Sequence, residues 1–195
     1  MTDTFDTFNE GVTASMRAYD ARSQGNFEEA VQCDEQAIAC FDRVLETEPK
    51  HTSALGGKAM SLAQLGRTSD AVGAFEAAIQ VEPIAEFYRQ LGLCQVELGD
   101  MKKAWIATRK AISMEDSQEY RANAATELVG FGDNILGVIE SNRPSMSPEQ
   151  IAMYHQWAAS TYALACETDA ENSEARSLLA STEQAMDQLP PSTPG

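Results

Sequence analysis

Four cysteines and two histidines are the side chains of this sequence best suited to nucleophilic catalysis or to binding a transition metal. No Cys-x-x-Cys is present, and neither histidine belongs to a His-x-x-x-His or His-Glu-x-x-His pattern. Cys33 and Cys40 share a helix face, but lie about 10 Å apart along the axis, which is too far for a disulfide. No Ser-His-Asp, Cys-His or paired-carboxylate motif and no glycine-rich phosphate loop occurs. We therefore expect free thiols, no catalytic residue, no metal site and no cofactor.

Charge and hydropathy narrow the classes of partner. The chain has 195 residues, 14 of them basic and 30 acidic, giving a formal net charge of −16. The acidic excess lies at the ends, with a net −8 over residues 1–49 and −6 over residues 144–195. It either steers a basic partner or only keeps the protein soluble, and it opposes binding to nucleic acid or to an anionic membrane. Without a long apolar stretch or a secretory signal, we expect a cytoplasmic protein.

Residues of the same type recur at a fixed interval. Gly66, Gly99 and Gly132 are spaced by 33 residues, and so are Ala71 and Ala104. Glycine in the left-handed conformation ends a helix and allows a tight turn. Each period therefore predicts two antiparallel helices joined at a glycine.

The apolar residues around Gly66 follow helical spacing on both sides of the turn. The first helix of this period places Leu55, Ala59 and Leu62 on one face, the second places Ala71, Phe75 and Ala78, and Pro83 ends it. The same reasoning predicts a single helical domain over 1–188. Its units are 11–50, with a second helix two turns longer, 52–83, 85–116 and 117–144, the last turning at Gly132. Irregular helices 148–168, opened by Ser147 and Pro148, and 173–188 follow, and then a disordered tail over 189–195.

This pattern resembles the tetratricopeptide repeat family. Residues 52–83 supply Leu55, Lys58-Ala59, Leu62, Ala71-x3-Phe75 and Pro83, and residues 85–116 supply Tyr88, Leu91-Gly92, Gln95, Ala104-x3-Thr108, Ala111 and Asp116. Lys58, Thr108 and Asp116 depart from the family pattern. The resemblance covers about residues 1–144 and implies an all-α fold, an α-solenoid of stacked antiparallel helix pairs forming a superhelix, with helix 173–188 as its C-terminal cap. It also implies a concave groove, lined by the first helix of each unit, that binds a peptide or helix of a partner.

The helical phase predicts which side chains line that groove. They are Met16, Tyr19, Met60, Gln64, Glu86, Arg89, Gln90, Leu93, Glu97 and Arg121. Two interpretations stay open for some of them: Met16 and Met60 either contact a partner or fill the core. Arg89 and Arg121 either bind an acidic group of a partner or are surface residues with a local acidic neighbour such as Glu86.

The function predicted from this resemblance is non-catalytic binding of another protein, as an adaptor. The alternatives are a small chaperone that shields a partner protein, and a scaffold that self-assembles into a homo-oligomer through the long helices 27–48 and 148–168. The carboxylate clamp of heat-shock co-chaperones is not expected, because the matching positions are Ser15, Tyr19, Gly57, Glu86 and Gln90.

Overall fold

The computed structural model describes residues 4–189. Over these residues the secondary structure is helical throughout, with nine α-helices, one 3-10 turn at Arg143–Ser145 and no strand. The α-helices are α1 Thr4–Ser23, α2 Phe27–Thr47, α3 Thr52–Gln64, α4 Thr68–Val81, α5 Ala85–Glu97, α6 Met101–Met114, α7 Gln118–Asn142, α8 Pro148–Thr168 and α9 Ser173–Asp187. The predicted fold class, an all-α solenoid built from helix pairs, is confirmed. Residues 190–195 of the predicted tail lie outside the described residues.

Two compact units make up the chain, Met1–Cys94 and Gln95–Gly195, and the division falls within α5. The predicted helix turns lie at Gly25, Gly66 and Gly99, whose φ angles are +76°, +70° and +77°. At these angles a side chain would clash with the backbone, so glycine at each turn lets the chain reverse between α1 and α2, α3 and α4, and α5 and α6.

The first unit is built from tightly packed helix pairs. Small residues form the faces on which α1 and α2 pack against each other, and Ala18 and Ala37 are fully buried there. Phe41 of α2 packs on Phe8, with ring centroids 5.9 Å apart. Phe75 is also fully buried, 6.3 Å from the ring of Phe87, and so fills the space between one helix pair and the next as its spacing predicts.

The predicted turn at Gly132 is wrong, because α7 continues through this residue as one helix from Gln118 to Asn142. Gly132 matches the interval of the turn glycines but has a different role. A Cβ atom there would lie 2.3 Å from Cε1 of Tyr162 on α8, so the missing side chain makes room for the ring. Tyr162 is fully buried and donates a hydrogen bond to Asp133 Oδ1 at 2.7 Å. Burial and this hydrogen bond raise the pKa of Tyr162.

The helices predicted at the C-terminal end are present. The side chain of Ser147 accepts a hydrogen bond from the backbone N–H of Gln150, and the Gln150 side chain accepts one from the backbone N–H of Ser147. This capping box satisfies two N–H groups that a helix end leaves unpaired, and Pro148 occupies the first turn. The last helix, α9, packs on α8 and buries Ala175 completely.

Candidate functional site

One face of α1 in the first unit presents large apolar side chains to solvent. These residues, which we call the α1 surface, are Phe5, Val12, Met16 and Tyr19. Their spacing of seven, four and three residues keeps them on one side of the helix. Ala14, Ala18 and Ala21 bury another face in the core. Tyr19 is 74% exposed. Met16 is 65% exposed, so it does not fill the core.

The helix α3 lies beside α1 in the same unit. The hydroxyl groups of Ser15 and Ser61 are 3.3 Å apart, which brings the neighbouring turns of the two helices together. Met60, adjacent to Ser61, is half-buried, and Gln64 one turn further is exposed. The first unit thus has Met16, Tyr19, Met60 and Gln64 on two adjacent first helices.

Glu86 organises the polar residues predicted on α5. Its carboxylate accepts hydrogen bonds from Arg89 Nε at 2.8 Å and Arg89 Nη2 at 2.6 Å, and also from Gln90 Nε2 at 2.9 Å. The Arg89 side chain is only 15% exposed. Its charge is therefore compensated locally, as one of the two interpretations expects. Leu93, one turn further, is half-buried.

The other two predicted groove residues belong to the second unit. Glu97 is exposed near the C-terminal end of α5. Arg121, in the first turn of α7, forms an ion pair with Asp116. Both predicted arginines thus have a carboxylate neighbour in their own chain.

The thiols and the possible metal ligands of residues 4–189 can be located directly. No group of three or more His, Cys, Asp or Glu side chains in this part of the chain is arranged to hold a metal ion. Cys33, Cys40 and Cys94 are buried thiols outside any disulfide, and Cys166 is half-buried, where burial raises the pKa of its thiol. Among the described helices, none combines the length and apolar character needed to span a membrane.

Comparison with known families identifies the repeat. The sequence model of the tetratricopeptide repeat family matches residues 35–80 and again residues 57–120. Residues 35–120 therefore consist of tetratricopeptide repeats. The matched residues include the turn at Gly66 and the turn at Gly99, whose 33-residue spacing predicts the repeat.

Solved structures share the fold. One, the MamA RS-1 ArsTM double mutant, is 12% identical over 92% of this chain and 86% of its own, with a TM-score of 0.53. Another, a putative kinesin light chain from Podosopora anserina with nearly identical tetratricopeptide-like repeats, is 15% identical over 96% of this chain and 99% of its own, with a TM-score of 0.50. At these identities the likeness shows the fold alone. No curated protein matches the chain significantly.

Two residues of the α1 surface escape the prediction made from the sequence. Phe5 and Val12 precede Met16 by eleven and four residues, so a helical projection places them on the same side as Met16. The tetratricopeptide pattern does not point to them, because α1 precedes the residues at which the family match begins. These two residues could have been predicted by extending the helical spacing from Met16 toward the N-terminus.

Proposed function

We propose that this tetratricopeptide repeat protein is a non-catalytic protein-binding module. Its α1 surface, with Met60 and Gln64 of α3, would bind a peptide or helix of a partner protein. The observation that supports this most is the alignment of Phe5, Val12, Met16 and Tyr19 as exposed apolar side chains on one helix face. An apolar stripe of this kind marks interaction surfaces, whereas single exposed apolar residues are common on any protein.

The size of the α1 surface suits a helical or extended segment. From Phe5 to Tyr19 the stripe runs about 21 Å along the helix, at 1.5 Å per residue. A partner helix could place several of its own apolar side chains along this length, at intervals of three and four residues. Full burial of each large apolar side chain contributes about 1.5–3 kcal/mol, from which the costs of association are subtracted.

Apolar contacts would dominate this interaction in the first unit. Arg89 already has its guanidinium hydrogen-bonded to Glu86, so releasing it to a partner would break those bonds. Met16 and Tyr19 can contact a partner without first breaking hydrogen bonds of this kind. Methionine adapts to different partner shapes, and tyrosine offers both a ring and a hydroxyl group.

The test is a quantitative capture of partners from the native cell extract by three forms of the full chain. Met16→Glu with Tyr19→Glu introduces charge on the α1 surface and should reduce the recovered partner by about tenfold, as for a loss of about 1.4 kcal/mol. Phe27→Glu with Val31→Glu is the matched control, because both residues are exposed apolar side chains on α2. Equal recovery by the two double variants would remove the α1 surface from the proposal.

The self-assembling alternative has its own readout. Light scattering across a range of protein concentrations distinguishes a monomer that binds a different protein from a chain that binds itself. Self-association would make the measured mass increase with protein concentration. If Met16→Glu with Tyr19→Glu abolishes this increase, the α1 surface mediates self-association instead.

A further inference from the structure

The exposed surface of α6 has a charge opposite to that of the whole chain. Between Met101 and Met114 this helix carries four basic side chains and no acidic one, although the net charge of the protein is −16. Lys102, Lys103, Arg109 and Lys110 are all exposed. Solubility does not require this reversal, since the acidic surface elsewhere already provides net charge.

Large apolar side chains lie among these basic residues. Trp105 is 40% exposed and Ile106 is 53% exposed. Successive positions on the same side of α6 are Lys102, Ile106 and Arg109, at steps of four and three residues. Tryptophan and arginine are enriched at the centres of protein interfaces, where they provide large contact area with directed polar groups.

Contacts on two sides hold the Trp105 ring in place. Its Nε1–H donates to Glu167 Oε2 of α8 at 2.6 Å, and the Arg109 guanidinium carbon lies 4.8 Å from the centre of the ring. An open cleft of about 640 Å³ adjoins the ring. It is lined by the apolar side chains of Ile112 and Leu164 and by the carboxylates of Asp116 and Glu167, which pair with Arg121 and Trp105. A ring fixed in advance loses little entropy on binding.

The four basic residues of α6 differ in whether they form an ion pair. Lys103 pairs with Asp100 at 3.0 Å, and Arg121 beside the cleft pairs with Asp116. Within residues 4–189, Lys102, Arg109 and Lys110 form no ion pair; the three positive charges stand next to Trp105 and Ile106.

We propose that Lys102, Trp105, Ile106, Arg109 and Lys110 form a second docking surface, the α6 surface, separate from the α1 surface. Its occupant is an acidic segment of a partner protein, in which an aliphatic or aromatic side chain enters the cleft beside Trp105. Neighbouring Asp or Glu residues of that segment pair with Arg109, Lys102 and Lys110. Charge complementarity selects this chemistry, since carboxylates are groups that three cations without an ion-pair partner bind well.

Overall charge separates this partner from nucleic acids and anionic membranes. A long polyanion or a membrane surface meets the field of the whole protein, which is repulsive at a net charge of −16. A short acidic peptide interacts mainly within the screening distance of about 8 Å at physiological ionic strength. Within that distance α6 supplies four basic side chains, while the carboxylates of Asp116 and Glu167 beside the cleft already have partners in the chain.

A structural role in joining α6 to α8 explains only part of the α6 surface. The hydrogen bond from Trp105 to Glu167 accounts for the position of the ring edge. It does not account for the exposure of Ile106, nor for a helix without acidic residues. The proposed partner accounts for these two remaining features.

The experiment is a selection of peptides from a random display library on the full chain, followed by fluorescence polarisation with the enriched peptides. Arg109→Glu with Lys110→Glu reverses charge on the α6 surface. Arg17→Glu with Lys50→Glu is the matched control, because both residues are exposed and the change in net charge is the same. Phosphatidylserine vesicles and a single-stranded oligonucleotide serve as competing probes. Met16→Glu with Tyr19→Glu distinguishes this surface from the one in the proposed function.

We expect enriched peptides to combine Asp or Glu with an apolar residue. Their affinity should fall about tenfold in Arg109→Glu with Lys110→Glu, and change less than about threefold in the matched control. Equal losses in the two reversals, peptides without acidic residues, or dependence on Met16 and Tyr19 alone would overturn the proposal. Stronger α6-dependent binding of the vesicles or the oligonucleotide would also overturn it. Should the reversal unfold the chain, Arg109→Gln with Lys110→Gln must still weaken the peptides, or the proposal fails.

Discussion

Replacing Gly132 by alanine tests whether this residue makes room for a ring rather than forming a turn. The added Cβ would lie 2.3 Å, 2.7 Å and 2.8 Å from three ring carbons of Tyr162. Carbon atoms pack best at about 3.5–4.0 Å, so the ring would have to move by about 1 Å. Tyr162 is fully buried and is hydrogen-bonded to Asp133, which leaves it little freedom to move.

The expected loss follows from two opposing contributions. Overpacking of this severity costs about 3 kcal/mol, the upper part of the usual range. Replacing glycine by alanine inside a helix stabilises the folded state by about 1 kcal/mol, because alanine has the higher helix propensity. We therefore expect Gly132→Ala to lower the free energy of unfolding of the second unit by about 2 kcal/mol.

The same helix supplies a matched control. A Cβ atom at Gly130 would meet no atom within 4 Å, so Gly130→Ala should stabilise the second unit by about 1 kcal/mol. Urea unfolding followed by tryptophan fluorescence is the assay. Both tryptophans of the chain, Trp105 and Trp157, lie in the second unit and report on it specifically.

A double variant shows whether the Tyr162 ring causes the loss. In a Tyr162→Leu background the clash is absent, so Gly132→Ala should change from destabilising to slightly stabilising, a coupling of about 3 kcal/mol. A Gly132→Ala protein as stable as the Gly130→Ala protein would refute the reasoning. An equal loss of stability on Gly132→Ala in the wild-type and Tyr162→Leu backgrounds would also refute it, because a glycine required by a turn would give that result.

Three further predictions concern stability. Asp34 is 2% exposed and paired with Arg22. Asp34→Ala should cost the first unit about 3 kcal/mol by leaving the arginine without its partner, measured by circular dichroism during urea unfolding. Ser147→Ala removes the cap of α8 and should cost about 1 kcal/mol by tryptophan fluorescence; no loss would contradict the cap. Burial, and then the charge of Arg143, lower the pKa of His155, so folding favours its neutral ring. Stability present above the ordinary pKa of about 6.5 should fall as the pH decreases below that value and through the lowered pKa of the folded protein, and His155→Gln should remove that part of the pH dependence.

The hairpin turns could be predicted from the sequence because their cause is local. At Gly25, Gly66 and Gly99 the chain needs a left-handed backbone angle, and glycine followed by a short polar step signals it. Gly132 has the same spacing but a different cause, the approach of Tyr162 from another helix. A contact between residues 30 positions apart leaves no pattern in the sequence near the glycine.

The candidate sites also contain features with local causes, which the sequence can predict, and features that depend on contacts between distant residues. Helical phase places Tyr19 on the groove face but leaves open whether Met16 contacts a partner or fills the core, and the structure exposes both. The sequence leaves two roles open for Arg89, because a carboxylate three residues earlier is compatible with both. The α6 surface depends on Glu167 holding Trp105, which is a contact across 62 residues of chain. Side-chain partners of this kind become apparent only when the helices are folded together.

The most direct test of the proposed function is photocrosslinking from the α1 surface in the native cell extract. A photoreactive amino acid replaces Tyr19 in one form of the chain and Val31 of α2 in the control; both positions are exposed. We predict that position 19 crosslinks to one segment of one partner protein and that position 31 does not. Crosslinks of equal yield from both positions, or from position 31 alone, would contradict the assignment of binding to the α1 surface.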